Sequence, residues 1–263
     1  TNIYSLLFTI THYNCTMSET SIYLSDDMVF YTIEGEGRYA GYPSVFMRLS
    51  MCNLTCIGFK SEDAPYGCDS YVSWSVKNKR TVEEIYKMFV DKGYIEHLRR
   101  GAILKLTGGE PLIQQKQLLA FIRYFAVKEE FIPLIDFETN GTLMPDEDWS
   151  QVFNATFTVS PKLSNNGDPE EKRYKPEVLI YHRSINSCFK FVVQEEKDIE
   201  EIKEKYMNKE IGITREQIWL MPCCGSRQEQ SEVASSVAEY CKALGVKFSP
   251  RLHLMIWDKA LKV

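Results

Sequence analysis

Three of the eight cysteines, Cys52, Cys56 and Cys68, lie close together in the sequence, and their thiolates could bind metal. Thiolates grouped on one loop are ligands for zinc or for an iron–sulfur cluster. A closed structural zinc site takes four ligands, and no fourth cysteine or histidine lies near these three in the sequence. A [4Fe–4S] cluster held by three thiolates instead leaves one iron open to a substrate or cofactor. A set of buried free cysteines is the alternative interpretation.

Polar loops that contain glycine or proline follow several of the predicted strands. The strands at 44–50, 103–106, 132–137 and 157–159 are followed by loops at 51–56, 107–111, 138–142 and 160–162. Taken alone, each loop is more typical of an ordinary turn than of a functional site. Because parallel strands place their carboxyl ends at one edge of a sheet, the four loops together predict a site at that edge.

The hydrophobic pattern alternates between strands and helices along most of the chain. Further strands are predicted at 189–193, 218–221 and 246–248, and helices at 115–128, 198–207, 232–244 and between the capping box 81–84 and Gly93. Residues 51–80 predict a long loop, and residues 163–177 are too charged and proline-rich for a core segment. Strands alternating with helices indicate a parallel sheet. Since some connections lack a clear helix, we predict a single-domain α/β protein with a partial β/α barrel.

Composition and charge exclude several classes of protein. The chain has 263 residues, and 31 basic against 36 acidic residues give a net charge of −5, which argues against a nucleic-acid scaffold with a basic face. No apolar run approaches the ~20 residues that span a bilayer, and the apolar stretch at 3–10 lacks the basic flank of a signal peptide. We therefore expect a soluble, cytoplasmic protein with no nucleic-acid or membrane partner.

Two sections of the chain are distinguished. Residues 1–27 are expected to hold an N-terminal extension and the first strand, and residues 28–263 the main domain. Met17 is expected to be a natural start, in which case residues 1–16 form an upstream segment with no predicted role.

Several motifs resemble those of the radical S-adenosylmethionine (SAM) superfamily, of which Cys52, Cys56 and the Gly-Gly-Glu-Pro loop at 108–111 are typical. Within that superfamily, further segments are similar to the 7-carboxy-7-deazaguanine synthase family, and the match runs from about residue 28 to the C-terminus. These segments are 30–37, 46–49, 68–70, 138–142, 160–162 and 249–253 followed by Trp257.

The resemblance implies a fold, a reaction and cofactors. The fold would be the incomplete TIM-like barrel of radical SAM enzymes. The reaction would be the lyase conversion of 6-carboxy-5,6,7,8-tetrahydropterin to 7-carboxy-7-deazaguanine with loss of ammonia, a step in queuosine and 7-deazapurine biosynthesis. A [4Fe–4S] cluster, SAM and Mg²⁺ would be the cofactors, with an electron donor such as flavodoxin and a homodimeric assembly.

The resemblance also implies roles for individual residues. Because the radical forms on SAM, no protein side chain is expected to be catalytic in its own right. Arg48 suits a substrate carboxylate, which a guanidinium can bind through two hydrogen bonds. The expected cluster ligands are Cys52, Cys56 and Cys68; the magnesium ligand is Ser70; the SAM-binding residues are Gly108, Gly109, Glu110, Asp69, Ser160, Pro161, Lys162, Met221 and Pro222; and the substrate-binding residues are Ile33, Glu34, Gly35, Arg48, Thr107 and Val263.

Two positions depart from the family pattern. The usual superfamily spacing is CxxxCxxC, whereas residues 57–67 separate Cys56 from Cys68, which indicates an insertion in the cluster loop. Glu34 stands where many relatives carry glutamine, which would change how the hydrogen-bonding groups of the pterin are met. Two other hypotheses stay open at this point, namely an activase for a glycyl-radical enzyme and a non-catalytic protein that holds a cluster or zinc.

Overall fold

The structure is a computed structural model that describes residues 17–60, 65–151 and 153–259. Its strands are β1 (Ser21–Ile33), β2 (Pro43–Leu49), β3 (Asn78–Thr81), β4 (Ile103–Gly108), β5 (Ile135–Thr139), β6 (Thr156–Val159), β7 (Cys188–Val193), β8 (Ile218–Pro222) and β9 (Lys247–Phe248). The helices are α1 (Tyr71–Ser75), α2 (Val82–Asp91), α3 (Tyr94–Arg99), α4 (Gln115–Glu129), α5 (Glu147–Gln151), α6 (Glu170–Arg173), α7 (Pro176–Ser184), α8 (Glu196–Glu201), which continues as a π-turn (Ile202–Tyr206), α9 (Arg227–Leu244) and α10 (Leu252–Trp257). None of the helices in the described residues is long and apolar enough to cross a membrane.

All of these strands belong to one sheet in the order β3-β1-β2-β4-β5-β6-β7-β8-β9. Strands β2 and β4 to β9 run parallel to one another, whereas β1 is antiparallel to both of its neighbours, β2 and β3. Within the described residues the sheet does not close on itself. This mostly parallel, open sheet with crossover helices confirms the predicted α/β partial barrel.

One face of the sheet packs against the helices and forms the hydrophobic core. Leu104 and Leu106 of β4 lie in this core together with Phe137, Phe157 and Phe189 of the following strands. The rings of Phe137 and Phe157 stack with their centroids 5.2 Å apart. Burying a side chain of this size stabilises the fold by about 1.5–3 kcal/mol, so this face accounts for much of the stability of the sheet.

The opposite face, which we call the inner face, is polar. Strand register places its side chains next to one another, since Arg48 pairs with Thr107 and Lys105 pairs with Asp136. The polar residues of the inner face are Arg48, Lys105, Thr107, Asp136, Glu138, Thr158 and Lys190. Buried charges do not by themselves stabilise a fold, because removing them from water costs several kcal/mol per ion. Their presence on the inner face indicates a functional surface.

Most of the predicted elements are confirmed, with boundaries that differ by a few residues. The last long helix begins at Arg227, earlier than expected, because Ser226 caps its first turn by accepting a hydrogen bond from Glu229 (3.2 Å). Gly245 ends this helix in the left-handed conformation, with a φ of +68°.

Two segments differ from prediction. Residues 51–80 are not a plain loop, because they contain α1 and β3, and β3 pairs with β1 (Ser21 opposite Thr81) at the edge of the sheet. An edge strand of polar, half-buried residues shows no hydrophobic alternation, so its pattern could not be recognised. Residues 163–177 reach the interior, where Arg173 is buried because its charge is paired with Glu201 (2.8 Å).

The first strand extends beyond the expected boundary at residue 27. β1 continues to Ile33, and this second half pairs with β2 through contacts such as Phe30 opposite Phe46. The expected upstream segment, residues 1–16, lies outside the described residues, and the division of the chain at residue 27 stays a prediction.

Candidate active site

The cysteine loop, residues 51–70, begins where β2 ends and lies against the loop that follows β4. The amide of Gly109 donates to the carbonyl of Leu49 (2.9 Å), and the amide of Glu110 donates to that of Met51 (2.8 Å). A Cβ atom on Gly109 would lie 1.9 Å from the Met51 oxygen, so only glycine permits this approach. The Gly-Gly-Glu-Pro loop therefore holds the chain next to Cys52.

Asp168, which is distant from the cysteine loop in the sequence, holds the middle of that loop in place through hydrogen bonds. Its carboxylate accepts hydrogen bonds from the amides of Thr55 (3.0 Å) and Cys56 (2.8 Å) and from the Thr55 hydroxyl (2.7 Å). Burial works against ionisation, but these hydrogen bonds outweigh it and lower the pKa of Asp168. They also hold Cys56 in the left-handed conformation, with a φ of +49°, that non-glycine residues rarely adopt.

The segment 57–67 brings Cys68 back beside Cys56. A Cβ atom on Gly67 would lie 2.3 Å from the Cys56 oxygen, so the residue before Cys68 packs against the backbone of Cys56. The indole of Trp74 in α1 then donates a hydrogen bond to the Cys68 sulfur (3.5 Å). The two ends of the predicted insertion, at Ile57 and Gly67, therefore lie against each other, which places Cys68 near Cys56. Residues 61–64 of this segment lie outside the described residues.

The three thiols affect one another's ionisation. Burial raises the pKa of Cys52 to about 12 and raises the pKa of Cys56 and Cys68, and a negative charge on any one of them disfavours ionisation of its neighbours. The ammonium of Lys162 opposes this effect at Cys56 and Cys68. A positive charge close to a thiol favours its ionised form, which is the form that binds metal.

The arrangement of the thiols fits an iron–sulfur cluster better than a single metal ion. Within the described residues, no three His, Cys, Asp or Glu side chains converge closely enough to hold one ion. In a [4Fe–4S] cluster each thiolate binds a different iron, so the three sulfurs need only surround the cluster. Cys52, Cys56 and Cys68 influence one another's ionisation and so lie near one another, which is consistent with that arrangement.

Glu110 connects the loops that follow β4 and β5. Its carboxylate is fully buried and accepts hydrogen bonds from the amides of Leu112 (3.0 Å) and Asn140 (2.7 Å) and from the Thr139 hydroxyl (2.8 Å). Burial raises the pKa of Glu110 to about 7, although these hydrogen bonds act in the opposite direction. Both carboxylate oxygens thus accept hydrogen bonds from the protein, and Glu110 holds the two loops together.

The loop after β5 contacts the cysteine loop through side chains, and the loop after β6 contacts the end of β5. Asn140 donates to Asn53 (2.8 Å), which in turn donates to Thr142 (2.7 Å). The amide of Ser160 donates to the carbonyl of Thr139 (2.7 Å), and Lys162 donates to the Ser160 hydroxyl (2.9 Å). Four loops that the sequence predicts to share one edge of the sheet are therefore brought together.

The remaining residues that are predicted to bind cofactors lie at the same edge. Met221 and Pro222 are buried at the end of β8. Asp69 follows Cys68 and pairs with Arg251 of the C-terminal segment (2.9 Å). The hydroxyl of Ser70 donates to the carboxylate of Asp69 (3.1 Å), so an oxygen ligand and a carboxylate lie side by side directly after the third cysteine.

The predicted substrate residues lie over the inner face. Glu34 is buried beside Lys105 (2.8 Å), and its pKa is raised by burial although the Lys105 ammonium acts to lower it. A Cβ atom on Gly35 would lie 2.2 Å from the Nδ1 atom of His253, so the C-terminal segment packs tightly on this loop. The guanidinium of Arg48 lies 5.3 Å from the centre of the Phe30 ring.

Of the three remaining predicted substrate residues, the structure describes Thr107 and Ile33. Thr107 donates to the carboxylate of Glu138 (3.0 Å) and is opposite Arg48 in the sheet. Ile33 ends β1, immediately before Glu34. Val263 lies outside the described residues, and its predicted contact with substrate stays a prediction.

Several charged residues of the site were missed by sequence reasoning. Lys190 pairs with both Glu36 and Glu138, and Arg251 pairs with Glu36 (3.0 Å). Burial opposes ionisation, but Lys190 and Lys105 lower the pKa of Glu138 to about 2. A signal was present, because Lys105, Asp136 and Lys190 each interrupt an otherwise apolar strand. Asp168 and Asn166 had no such signal.

Comparisons with known proteins show which proteins this chain is similar to. No protein-family model matches the chain. The chain is 31% identical over 234 residues to the 7-carboxy-7-deazaguanine synthase of Pyrobaculum aerophilum, with 88% of this chain and 94% of that protein covered. It is 32% identical over 236 residues to the synthase of Hyperthermus butylicus, with 87% and 90% covered. The fold is similar to the crystal structure of QueE from Escherichia coli, with a TM-score of 0.59, 21% identity and coverage of 91% of this chain and 98% of that one. The chain belongs to the 7-carboxy-7-deazaguanine synthase family.

Proposed function

We propose that this site converts 6-carboxy-5,6,7,8-tetrahydropterin to 7-carboxy-7-deazaguanine with loss of ammonia, in queuosine and 7-deazapurine biosynthesis. The observation that carries the proposal is the position of three interacting thiols on a loop clamped to the Gly-Gly-Glu-Pro loop, at the edge of a buried, charged inner face. Family membership makes the chain a radical SAM lyase and favours the synthase over a glycyl-radical activase and over a non-catalytic metal protein.

The cysteine loop and its neighbours would hold the cofactors. Cys52, Cys56 and Cys68 would bind three irons of a [4Fe–4S] cluster, which together with SAM supplies the radical that abstracts hydrogen from the substrate. The SAM-binding residues would be the backbone of Gly108 and Gly109, the side chains of Ser160 and Lys162 with Pro161, Asp69 beside the cluster, and Met221 with Pro222. Glu110 would contribute by positioning the loop, because its own oxygens are engaged.

The inner face would bind the pterin. Arg48 would pair with the substrate carboxylate, since a guanidinium forms two charge-assisted hydrogen bonds with such a group. Glu34, Gly35 and Ile33 would line the opposite side, with Thr107 at the centre. The hydroxyl of Ser70 would bind Mg²⁺, a hard cation that prefers oxygen ligands. The inner-face carboxylates and ammonium groups are held by one another, so substrate would meet a fixed polar surface from which water is excluded.

Anaerobic reconstitution tests this proposal directly. The protein is loaded with iron and sulfide and incubated with SAM, a reductant, Mg²⁺ and 6-carboxy-5,6,7,8-tetrahydropterin. We expect 7-carboxy-7-deazaguanine to form with wild-type protein and not with Cys68→Ala. Cys241→Ala is the matched control, because Cys241 is a buried thiol of α9 that lies against the carbonyl of Lys247 (3.5 Å). A cluster that cleaves SAM without consuming the pterin would refute the substrate assignment.

Further parts of the proposal rest on the resemblance alone. They are the homodimer, an electron donor such as flavodoxin, a cytoplasmic location and the requirement for Mg²⁺. Sedimentation analysis of the purified protein tests the homodimer, and we expect a mass of two chains. Omission of Mg²⁺ from the reconstituted assay tests the requirement for Mg²⁺, and we expect loss of product.

A further inference from the structure

Two side-chain N–H groups point at two of the three thiols. The indole nitrogen of Trp74 lies 3.5 Å from the Cys68 sulfur, and the amide nitrogen of Asn166 lies 3.6 Å from the Cys56 sulfur. Cys52 has a donor as well, the backbone amide of Leu54. Each thiol of the site therefore faces an N–H group, and at two of them the group belongs to a side chain that can be exchanged.

Both donors are held by contacts that do not involve the thiols. The carbonyl of Trp74 accepts from the amide of Met51 (3.1 Å), and its indole stands edge-on to Tyr71 with the ring centres 5.0 Å apart. Asn166 is fully buried, accepts from the amide of Asp168 (2.9 Å) and donates to its carboxylate (2.9 Å). These contacts fix where the two N–H groups point before any cofactor is bound.

An N–H group that faces a cluster sulfur favours the reduced cluster. Reduction adds negative charge that is shared by the sulfurs, and a hydrogen bond to a charged acceptor is stronger than one to a neutral acceptor. Hydrogen bonds to the sulfurs are one of the means by which a protein sets the potential of such a cluster. A pair of rigid donors therefore makes the cluster easier to reduce than the thiolates alone would.

We propose that Trp74 and Asn166 raise the reduction potential of the cluster by donating hydrogen bonds to Cys68 and Cys56. The inference rests on the proposed function in one respect, that these cysteines bind a [4Fe–4S] cluster. It assigns a role to two residues that the proposed function does not assign to SAM or to the pterin. Both are positioning residues, because they act through the sulfurs.

The test is a redox titration of the reconstituted cluster, followed by electron paramagnetic resonance. Trp74→Phe removes the N–H group and keeps an aromatic ring against Tyr71. The matched control is Trp219→Phe, because Trp219 lies on β8 beneath the ammonium of Lys247 (4.3 Å). We expect the reduction equilibrium of Trp74→Phe to fall by about tenfold, a shift of about 59 mV for one electron, and that of Trp219→Phe to stay unchanged.

A second variant and a second measurement keep the inference testable if Trp74→Phe assembles poorly. Asn166→Ser removes the other donor, and in the double variant the two shifts should add, because the donors serve different sulfurs. In wild-type protein labelled with ¹⁵N-tryptophan, pulsed electron paramagnetic resonance of the reduced cluster should detect an indole nitrogen. The signal should persist in Trp219→Phe.

The outcomes separate this inference from the proposed function. Equal potentials in wild type, Trp74→Phe and Asn166→Ser, at equal iron and sulfide content, would overturn the inference and leave the function intact. Absence of the ¹⁵N signal in wild type would also overturn it. Failure of the wild-type protein to form any [4Fe–4S] cluster would instead overturn the proposed function.

Discussion

Replacing Gly109 by alanine should separate the Gly-Gly-Glu-Pro loop from the cysteine loop. The new Cβ would lie 1.9 Å from the Met51 oxygen and 2.5 Å from its carbonyl carbon. Side-chain Cβ atoms do not approach other atoms closer than 3.0 Å, so the two backbones must move apart by at least about 1.1 Å. Both contacting groups are backbone, and neither can rotate away as a side chain could.

The cost follows from the contacts that this movement breaks. Overpacking a well-packed site costs about 1–3 kcal/mol. The hydrogen bond from Glu110 to Met51 (2.8 Å) would also be lost, at about 0.5–1.5 kcal/mol. We therefore expect the free energy of unfolding of Gly109→Ala to be lower by roughly 2–4 kcal/mol. Because Met51 precedes Cys52, the variant should also bind less iron after reconstitution.

Gly225→Ala is the control. A Cβ at Gly225 would meet only the Glu229 carboxylate at 3.6 Å, an ordinary contact, so the change should stay within about 0.5 kcal/mol. Urea denaturation of the protein without its cluster gives the free energies of unfolding, and iron analysis after anaerobic reconstitution gives cluster content. Equal stability and equal iron content in the two variants would refute the argument that backbone contact at Gly109 positions the cysteine loop.

Three other predictions concern the charges of the site and the core. Arg48→Lys should raise the KM for the carboxylated pterin by at least about tenfold without changing stability, because lysine cannot form the bidentate pair; an unchanged KM would contradict this. Lys105→Met should lower the free energy of unfolding by about 3–5 kcal/mol, since it leaves buried carboxylates unpaired. Glu34→Gln should lower it by less than about 1 kcal/mol, because Lys105 still pairs with Asp136 at 2.7 Å. Urea denaturation distinguishes these two results. Burial lowers the pKa of His182 to about 3, below the 6.5 of the unfolded chain, so unfolding takes up a proton between these values. The free energy of unfolding should therefore fall with falling pH by up to about 1.4 kcal/mol per unit, and His182→Gln should lack this component.

The sequence is informative where local pattern determines local structure. The strands and the loops that follow them could be predicted because apolar runs end at glycine, proline and polar residues. The roles of Asp168 and Asn166 could not, because both lie more than one hundred residues from Cys56 and contact it only after the sheet has formed. Neither residue sits in a pattern that distinguishes it from other polar loop residues.

Glu110 shows a different limit of sequence reasoning. The Gly-Gly-Glu-Pro motif correctly indicates a loop at the carboxyl edge of the sheet, next to the cysteines. It does not indicate which groups the carboxylate contacts, and the structure directs both oxygens to the amides and hydroxyl of adjacent loops. A motif therefore locates a residue in the site, and only the packing around it separates contact with a ligand from support of the loop.

The buried charges of the inner face serve the reaction and are not required for the stability of the fold. Apolar residues of similar volume in place of whole ion pairs, the carboxylates together with Lys105 and Lys190, would stabilise the sheet at least as well, since burying ion pairs gains little net free energy. What the charges provide is a fixed electrostatic environment, because Lys105 and Lys190 are each held by two carboxylates. The chain of pairs continues from Lys190 through Glu36 to Arg251 and then to Asp69, next to the third cysteine. Under the proposed function, the surface that binds the pterin and the loop that binds the cluster are thus held by one continuous set of ion pairs, and a displacement at either end is opposed by charges at the other.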